Sequence, residues 1–265
     1  MNALHGSAFD LSACRLAPSL ATPEQRMPPV AAVGAVHNAL MSALPGEVVQ
    51  RLSAHLELVD LPVGKLLCDT GAQMQAVYFP TSAVISASQV MRSGLSAEVA
   101  LIGREGMVGV PLLLGVATST LRCSVEGEGL AFKLAIHPLR REMARGGALM
   151  RVLLYYAGRH IGQIARTAAC HRHGTLEQRV CDRLVQHLDR TAGNVLSITH
   201  ERIANALGAK RESVTAVAGR LRRDGAIRYH RGRITVLDRS TLEARAGECY
   251  ERRTRRNELE SLALF

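Results

Sequence analysis

The chain has 265 residues, 47% hydrophobic but only 3% aromatic and without Trp, which suits about two domains with cores built from Leu, Val, Ile and Ala. A formal net charge of +10 favours polyanions, nucleic acid ahead of an anionic membrane surface. No apolar stretch reaches the roughly 18 to 20 residues needed to span a bilayer, the first residues lack the pattern of a secretory signal, and the six cysteines form no C-x-x-C pair, so the sequence predicts a cytoplasmic protein with mostly reduced cysteines and no zinc ribbon.

Residues 1–35 show no sustained period and read as a mobile tail. Regular apolar spacing begins in "NALMSALPGEVVQRLSAHLELVDL". From about Leu58 to Leu134 come short β-like runs, "ELVDL", "KLLCDTG", "AVYFP", "AVISASQVM", "AEVALIG", "LRCSVEG" and "LAFKLA", punctuated by Gly64, Gly71, Gly94, Gly103, Gly106 and Gly127. That spacing predicts a compact antiparallel β-roll over residues 36–146.

After "HPLRREMARGG", Leu149, Leu153, Tyr156, His160, Ile164 and Ala168 recur at three- and four-residue steps without Pro, predicting one helix of about six turns within residues 147–173. The small residues Ala157, Gly158, Gly162 and Ala165 would let it pair with a copy of itself, and equally let it pack on the β-roll. "HRHG" at His171 to Gly174 ends that helix with a candidate C-cap glycine. "TLEQ" opens the next with a capping box between Thr175 and Gln178, which places a hinge and domain boundary near Gly174.

The run "THERIANALGAKRESVTAVAGRLRRDGAI", beginning at Thr199, carries the function. With Thr199 as N-cap and His200 as the first helical position, interior sites fall at Ile203, Leu207, Ala209, Val214 and Val217, with Ala204 at a close helix crossing and Gly208 at a left-handed turn. A second helix from about Lys210 to Arg223, a turn at Asp224-Gly225 and a hairpin around Arg231-Gly232 complete a winged helix-turn-helix within residues 174–245. The segment from Thr199 to Ser240 holds ten basic residues against four acids, the footprint expected for double-stranded DNA. In this geometry Lys210, Arg211, Glu212, Ser213 and Thr215 approach base edges, Arg211 suiting guanine and Glu212 a cytosine amino group. Thr199, Arg220, Arg222, Arg231 and Arg233 are the candidate phosphate contacts.

The order β-roll, long helix, hinge and winged helix-turn-helix resembles the Crp/Fnr superfamily of bacterial transcription regulators, from about Leu44 to Tyr250, and most sharply in "ITHERIANALGAKRESVTAVAGRL" and "GAIRYHRGRITVLDRSTLE". The resemblance implies an α+β homodimer joined along the central helix, a cyclic-nucleotide-binding-like sensor domain, a two-fold symmetric promoter site and RNA polymerase as a partner. Arg211-Glu212 match the family's base-reading pair, while Ala216 stands where a later Arg would be, so the preferred site differs from that of the cyclic-AMP receptor. In the sensor, Gly109-Val110 replace the Gly-Glu step that holds a ribose. The phosphate-binding Arg-Ser aligns with Thr120-Leu121, or with Arg122-Cys123 after a two-residue insertion. Cyclic AMP is therefore not the expected effector, and another ligand or none remains open. Only Cys14 lies in the region where the Fnr branch carries its iron-sulfur cysteines, so no such cluster is expected, and no local pattern singles out a haem ligand pair.

Cys170, His171 and His173 are the densest soft ligands, but neighbours at a helix end point apart and a polar hinge is the expected role, with no metal. No catalytic signature is present: "GREGMVG" at Gly103 to Gly109 is not G-x-G-x-x-G and its glycines read as turns, so the chain is not read as an enzyme. Two alternatives to an effector-controlled regulator stand beside it: an effector-independent DNA binder whose β-roll is a dimer scaffold, and a protein-binding winged-helix adaptor. Residues 246–265 read as a C-terminal tail with mixed charge.

Overall fold

The computed structural model describes residues 37–250; the N-terminal tail with Cys14, and the C-terminal tail beyond Tyr250, lie outside them. Two short helices, α1 (Ala39–Ser42) and α2 (Gly46–Ser53), come first. Asn38 caps α1 by accepting from the amides of Leu40 and Met41, and its amide donates to Pro80 O at 2.8 Å and Gly106 O at 2.9 Å. One buried side chain thus satisfies a helix end and two loop carbonyls.

The runs read as strands are β1 (Leu56–Leu61), β2 (Leu66–Cys68), β3 (Ala76–Pro80), β4 (Val84–Val90), β5 (Ser96–Ile102), β6 (Arg122–Gly127) and β7 (Gly129–Ala135). They pair antiparallel in two sheets, β1-β7-β3 and β2-β6-β4-β5, the predicted β-roll. "VGVPLLLGVA" contributes the short α3 (Val110–Leu113), and "IHPLRREMA" forms α4 (Ile136–Ala144), where Pro138 sits in the first turn and displaces no intrahelical bond. The Gly103 to Gly106 segment is a turn closed by Gly106 N–H donating to Gly103 O at 3.0 Å. Gly106 has a second reason to be glycine, since a Cβ there would lie 2.4 Å from Tyr156 Oη.

The long helix α5 spans Ala148–His173, 26 residues. Most of its predicted apolar period seats on the β-roll: Leu149, Leu153 and Tyr156 lie in one core with Val77, Phe79, Ile85, Met107 and Leu134, His160 is buried and Ile164 partly so, while Ala168 is exposed. At roughly 1.5 to 3 kcal/mol per buried large apolar side chain, this face alone fixes the helix to the roll. Gly174 is the C-cap in an extended conformation, φ −74° and ψ 143°, and not in the left-handed state its identity suggested. Its lack of a side chain serves space instead, for a Cβ would meet Cys170 O and Cys249 Sγ, both at 2.7 Å.

Cys170 and Cys249 are joined by a disulfide, which sets these two apart from the expectation of mostly reduced cysteines, while Cys68, Cys123 and Cys181 are free. The bridged pair is 79 residues apart in sequence, and only the fold makes the two neighbours. The bridge ties the last turn of α5 to a 3₁₀ turn at Gly247–Cys249. His171 beside it is half-buried and burial pushes its pKa down, while His173 is exposed. Among the described residues no helix is long and apolar enough to cross a membrane.

A second core follows, built from α6 (Leu176–Leu188), β8 (Val195–Leu196), α7 (His200–Leu207), α8 (Arg211–Arg223), β9 (Ile227–His230), β10 (Arg233–Val236) and α9 (Arg239–Ala246), with the three strands in the order β8-β10-β9. It meets the β-roll through buried charge. Arg183 of α6 is hydrogen-bonded to Glu98 of β5 and, at 2.6 Å, to both carboxylate oxygens of Glu126 of β6. Arg190 pairs with Glu105 at 2.7 Å, and Ser86 Oγ donates to the remaining oxygen of Glu98 at 2.6 Å. Burial pushes the Arg183 pKa down to about 9, which still leaves it charged at neutral pH. Uncharged, it would abandon two buried carboxylates to an apolar seam.

Candidate nucleic-acid interface

The geometry of the second core follows from local chemistry. The Thr175–Gln178 capping box forms in both directions, at 2.8 and 3.3 Å, and starts α6. Thr199 Oγ1 accepts from Arg202 N–H at 3.2 Å and starts α7. Gly208 then takes φ 60° and ψ 35°, the left-handed turn between α7 and α8, which an L side chain adopts only at a cost of about 1 kcal/mol. Ile203, Ala204 and Leu207 of α7 close on Val214, Val217, Ala218 and Leu221 of α8, all buried in one cluster, and Ala209 packs partly against it.

Burying that face of α8 fixes what the other presents. Arg211, Thr215 and Arg222 recur near one turn and lie along one exposed stripe, with Glu212, Ala216 and Arg223 beside it. Lys210 is exposed at the N-cap. Ser213 and Arg220 lie on the opposite flank, where they border an open groove with Thr175, Glu177 and Arg245. Thr215 Oγ1 is hydrogen-bonded to His200 Nδ1 at 3.1 Å.

The wing is a two-residue hairpin loop between β9 and β10. Arg231 (φ 45°) and Gly232 (φ 78°) both have positive φ, the twist-compatible turn in which Asn or Gly ordinarily fills the first position. Arg231 is the one non-glycine residue with positive φ among the described residues, and its side chain and that of Arg233 are exposed.

The charges divide into two groups. Arg220 donates to Glu177 at 2.9 and 3.1 Å, Arg245 bridges Glu177 and Asp224, and Arg239 bridges Asp189 and Glu243. Those arginines hold the module together. Lys210, Arg211, Arg222, Arg228, Arg231 and Arg233 are exposed and enter no ion pair among the described residues. They leave a positive surface along α8 and the wing.

Two residues that the sequence did not single out as functional tie this surface together. His200 stacks on Tyr229 of β9 with ring centroids 4.2 Å apart and bonds Thr215, so it links the first helix, the second helix and the wing. Burial, and then the charge of Arg211, push its pKa down, so the imidazole is neutral at pH 7. Glu177 orders Arg220 and Arg245. No spacing rule reveals either contact, since each partner comes from a distant element.

In the β-roll, Gly109-Val110 open α3, with Gly109 at φ 118°. Arg122, the alternative phosphate ligand, reaches outward and forms a two-pronged pair with Asp69, both bonds at 2.9 Å, which holds the Asp69 carboxyl below its usual pKa range. The residues beneath α3 line a small, partly open cavity of about 20 Å³.

A family profile described as the Crp-like helix-turn-helix domain matches residues 178–245. The chain is 32% identical over 117 residues to a protein of Thermus thermophilus named transcriptional regulator LdrP, a match spanning 44% of this chain and 56% of that relative's length. Among solved structures, a CRP-family transcriptional regulator from Thermus thermophilus superposes with a TM-score of 0.61 at 19% identity, covering 71% of this chain and 96% of that one. A CRP/FNR-family regulator from the same organism gives 0.57 at 23% identity, covering 72% and 98%. These two likenesses are of fold, and they extend across both the β-roll and the winged module. The second core therefore carries a Crp-like helix-turn-helix domain, and the architecture around it is a fold shared with CRP- and FNR-family regulators.

Proposed function

We propose that the chain is a homodimeric, sequence-specific DNA-binding transcriptional regulator, reading a two-fold symmetric promoter site with two copies of α8. The observation that carries this reading is the division of charge: the arginines that stabilise the module are paired with acids, while those on the α8 stripe and the wing are exposed and unpaired. Lys210, Arg211, Glu212 and Thr215 face base edges from the N-terminal turns of α8, with Ser213 at the flank; Arg222, Arg231 and Arg233 hold phosphates, with Thr199 and Arg220 at the margin. An Arg kept at a left-handed wing position, where Asn or Gly would be less strained, supports a role for its side chain outside the fold.

The dimer is assigned to the face of α5 that the β-roll leaves open. Leu154 (46% exposed) and Ile161 (59% exposed) alternate there with Gly158 and Ala165, a seam at 3.5-residue spacing. In the sensor, the outward-turned Arg122 and a cavity far below the roughly 300 Å³ of ordinary ligand pockets support a regulator that does not respond to cyclic AMP, with another ligand or none in its place. The regulator is placed in the cytoplasm.

A selection from random duplexes, with sedimentation of the same protein, tests the reading. A palindromic consensus bound by a dimer is expected. A monomer at micromolar concentration, or affinity without sequence preference or salt dependence, overturns it.

A further inference from the structure

Cys68 of β2 and Cys123 of β6 are direct cross-strand partners, both free and both buried. Opposed residues in an antiparallel pair have Cα atoms about 4.5 to 5.5 Å apart, inside the roughly 4.4 to 6.8 Å that a disulfide spans. Each thiol perturbs the pKa of the other across the strand pair. Ser119 Oγ donates to Cys68 Sγ at 3.4 Å, and Cys68 Sγ lies 3.8 Å from Leu121 O.

These groups face the cavity of about 20 Å³, with Met74, Met107 and His160 on its other walls. That volume holds one water-sized molecule. His160 comes from α5, is only 6% exposed, and its Nδ1 has no hydrogen-bond partner among the described residues. A buried, unsatisfied ring nitrogen marks a place where a small polar guest gains a partner. Among the described residues no group of three or more His, Cys, Asp or Glu is arranged to hold a metal ion.

We propose that Cys68 and Cys123 form a dithiol site that reacts with hydrogen peroxide and makes the β-roll an oxidant sensor. The Cys68 thiolate attacks one peroxide oxygen; the O–O bond breaks, leaving Cys68 sulfenic acid and a hydroxide that takes a proton to become water. Cys123 sulfur then attacks Cys68 sulfur, the S–O bond breaks, and the hydroxyl departs with the Cys123 proton as a second water. Two thiols are oxidised to one disulfide and one peroxide is reduced to two waters. The influence of the neighbouring Cys123 thiol, with the hydrogen bond from Ser119, holds the Cys68 thiol down at about 7, and Ser119 Oγ donates to Cys68 Sγ alone, so Cys68 is the attacking sulfur. Its neighbour is pushed up by the Cys68 thiol and by burial, so Cys123 is the resolving thiol.

The reduced full-length protein is treated with equimolar hydrogen peroxide, alkylated and mapped by peptide mass. A Cys68–Cys123 linked peptide is expected, while Cys181, whose buried thiol is pushed up to about 12, stays alkylatable. Cys123→Ser, or Cys123→Ala should the first fold poorly, should stop at a Cys68 sulfenic acid trapped by dimedone. Equal alkylation of Cys68 with and without peroxide, or oxidation of Cys181 as extensive as that of Cys68, overturns the site.

Coupling of the site to DNA rests on the proposed function, so duplex affinity is read separately on the same samples. At least a tenfold change on oxidation is expected, and none in Cys68→Ser, which retains Cys170 and Cys249. A linked peptide without a change in affinity overturns the sensor role. A mapped disulfide in a protein that binds no duplex in either state overturns the DNA reading and the sensor role, and leaves the dithiol chemistry standing.

Discussion

Replacing Arg233 by Ala tests whether the exposed cations are the ones that meet phosphate. On the proposed reading the unpaired Arg222, Arg231 and Arg233 hold phosphates, so a dimer offers about six contacts and log K should fall against log salt with a slope near −5, at about −0.9 per contact. Between 50 and 200 mM salt that slope weakens binding by about three orders of magnitude. Arg233→Ala removes two contacts per dimer, so the slope should shrink by about 2 for every duplex sequence alike. Arg220→Ala provides the internal comparison: its guanidinium is bound to Glu177, and its removal should change the slope by less. Fluorescence anisotropy over a salt series, with a selected site and a scrambled one, measures both. Equal slope changes in the two variants would refute the division of charge on which the reading stands, and an unchanged slope in Arg233→Ala would refute the wing contact. Arg211→Ala should instead relax preference at one position per half-site, by about 1 to 3 kcal/mol.

Arg183→Met leaves Glu98 and Glu126 buried without their cation, which should destabilise the seam by about 3 to 5 kcal/mol and lower the calorimetric midpoint by roughly 6 to 20 °C; a loss under about 1 kcal/mol would show that water reaches the seam. Adding Glu98→Gln and Glu126→Gln should recover much of it. Ile161→Asp places a charge in the open α5 seam of a side chain already 59% exposed, so sedimentation should report monomers with an unchanged thermal midpoint at low concentration. Burial pushes the His160 and His187 pKa values below the ordinary value of about 6.5, so the folded chain binds fewer protons than the unfolded one. Their contribution is intact above pH 6.5 and lost as pH falls below it toward the folded-state values. Melting temperature should therefore drop between pH 7 and 5, before the Glu142 carboxyl, which Arg51 holds below its usual range, takes up protons; a flat profile would contradict neutral burial.

The winged module was legible because each demand there is local: a cap at Thr199, a left-handed turn at Gly208, a two-residue wing at Arg231-Gly232. The seven strands were legible for the same reason, from short runs between turn glycines. The helix α5 was legible in extent but ambiguous in orientation, since its strong apolar period belongs to the face on the β-roll. The open face is diluted by Gly158 and Ala165 and shows itself only once burial is known. Non-local partners left no trace in the sequence. Cys170 and Cys249, Arg183 with Glu98 and Glu126, and the Cys68–Cys123 pair each join residues that ordinary contexts surround, and the fold alone makes them adjacent.

The buried ion cluster is not explained by stability alone, since well-packed apolar residues of the same volume serve a seam as well or better. What the charges add is direction: carboxylates on β5 and β6 accept one guanidinium at one position of α6, and sliding by a residue would strand all three. Strand β6 runs only from Arg122 to Gly127, so the strand that bears Cys123 at the cavity also bears Glu126 at the seam. A sulfur–sulfur bond at one end of so short a strand has to be accommodated by a shift in β2 or in β6. Glu126 lies at a register break of the β4–β6 ladder, between Val125 and Gly127, where a shift in β6 would displace the carboxylate that holds Arg183. The proposed dithiol and the orientation of the winged module would therefore share one strand as their physical link, so effector chemistry and DNA reading need no longer path than β6.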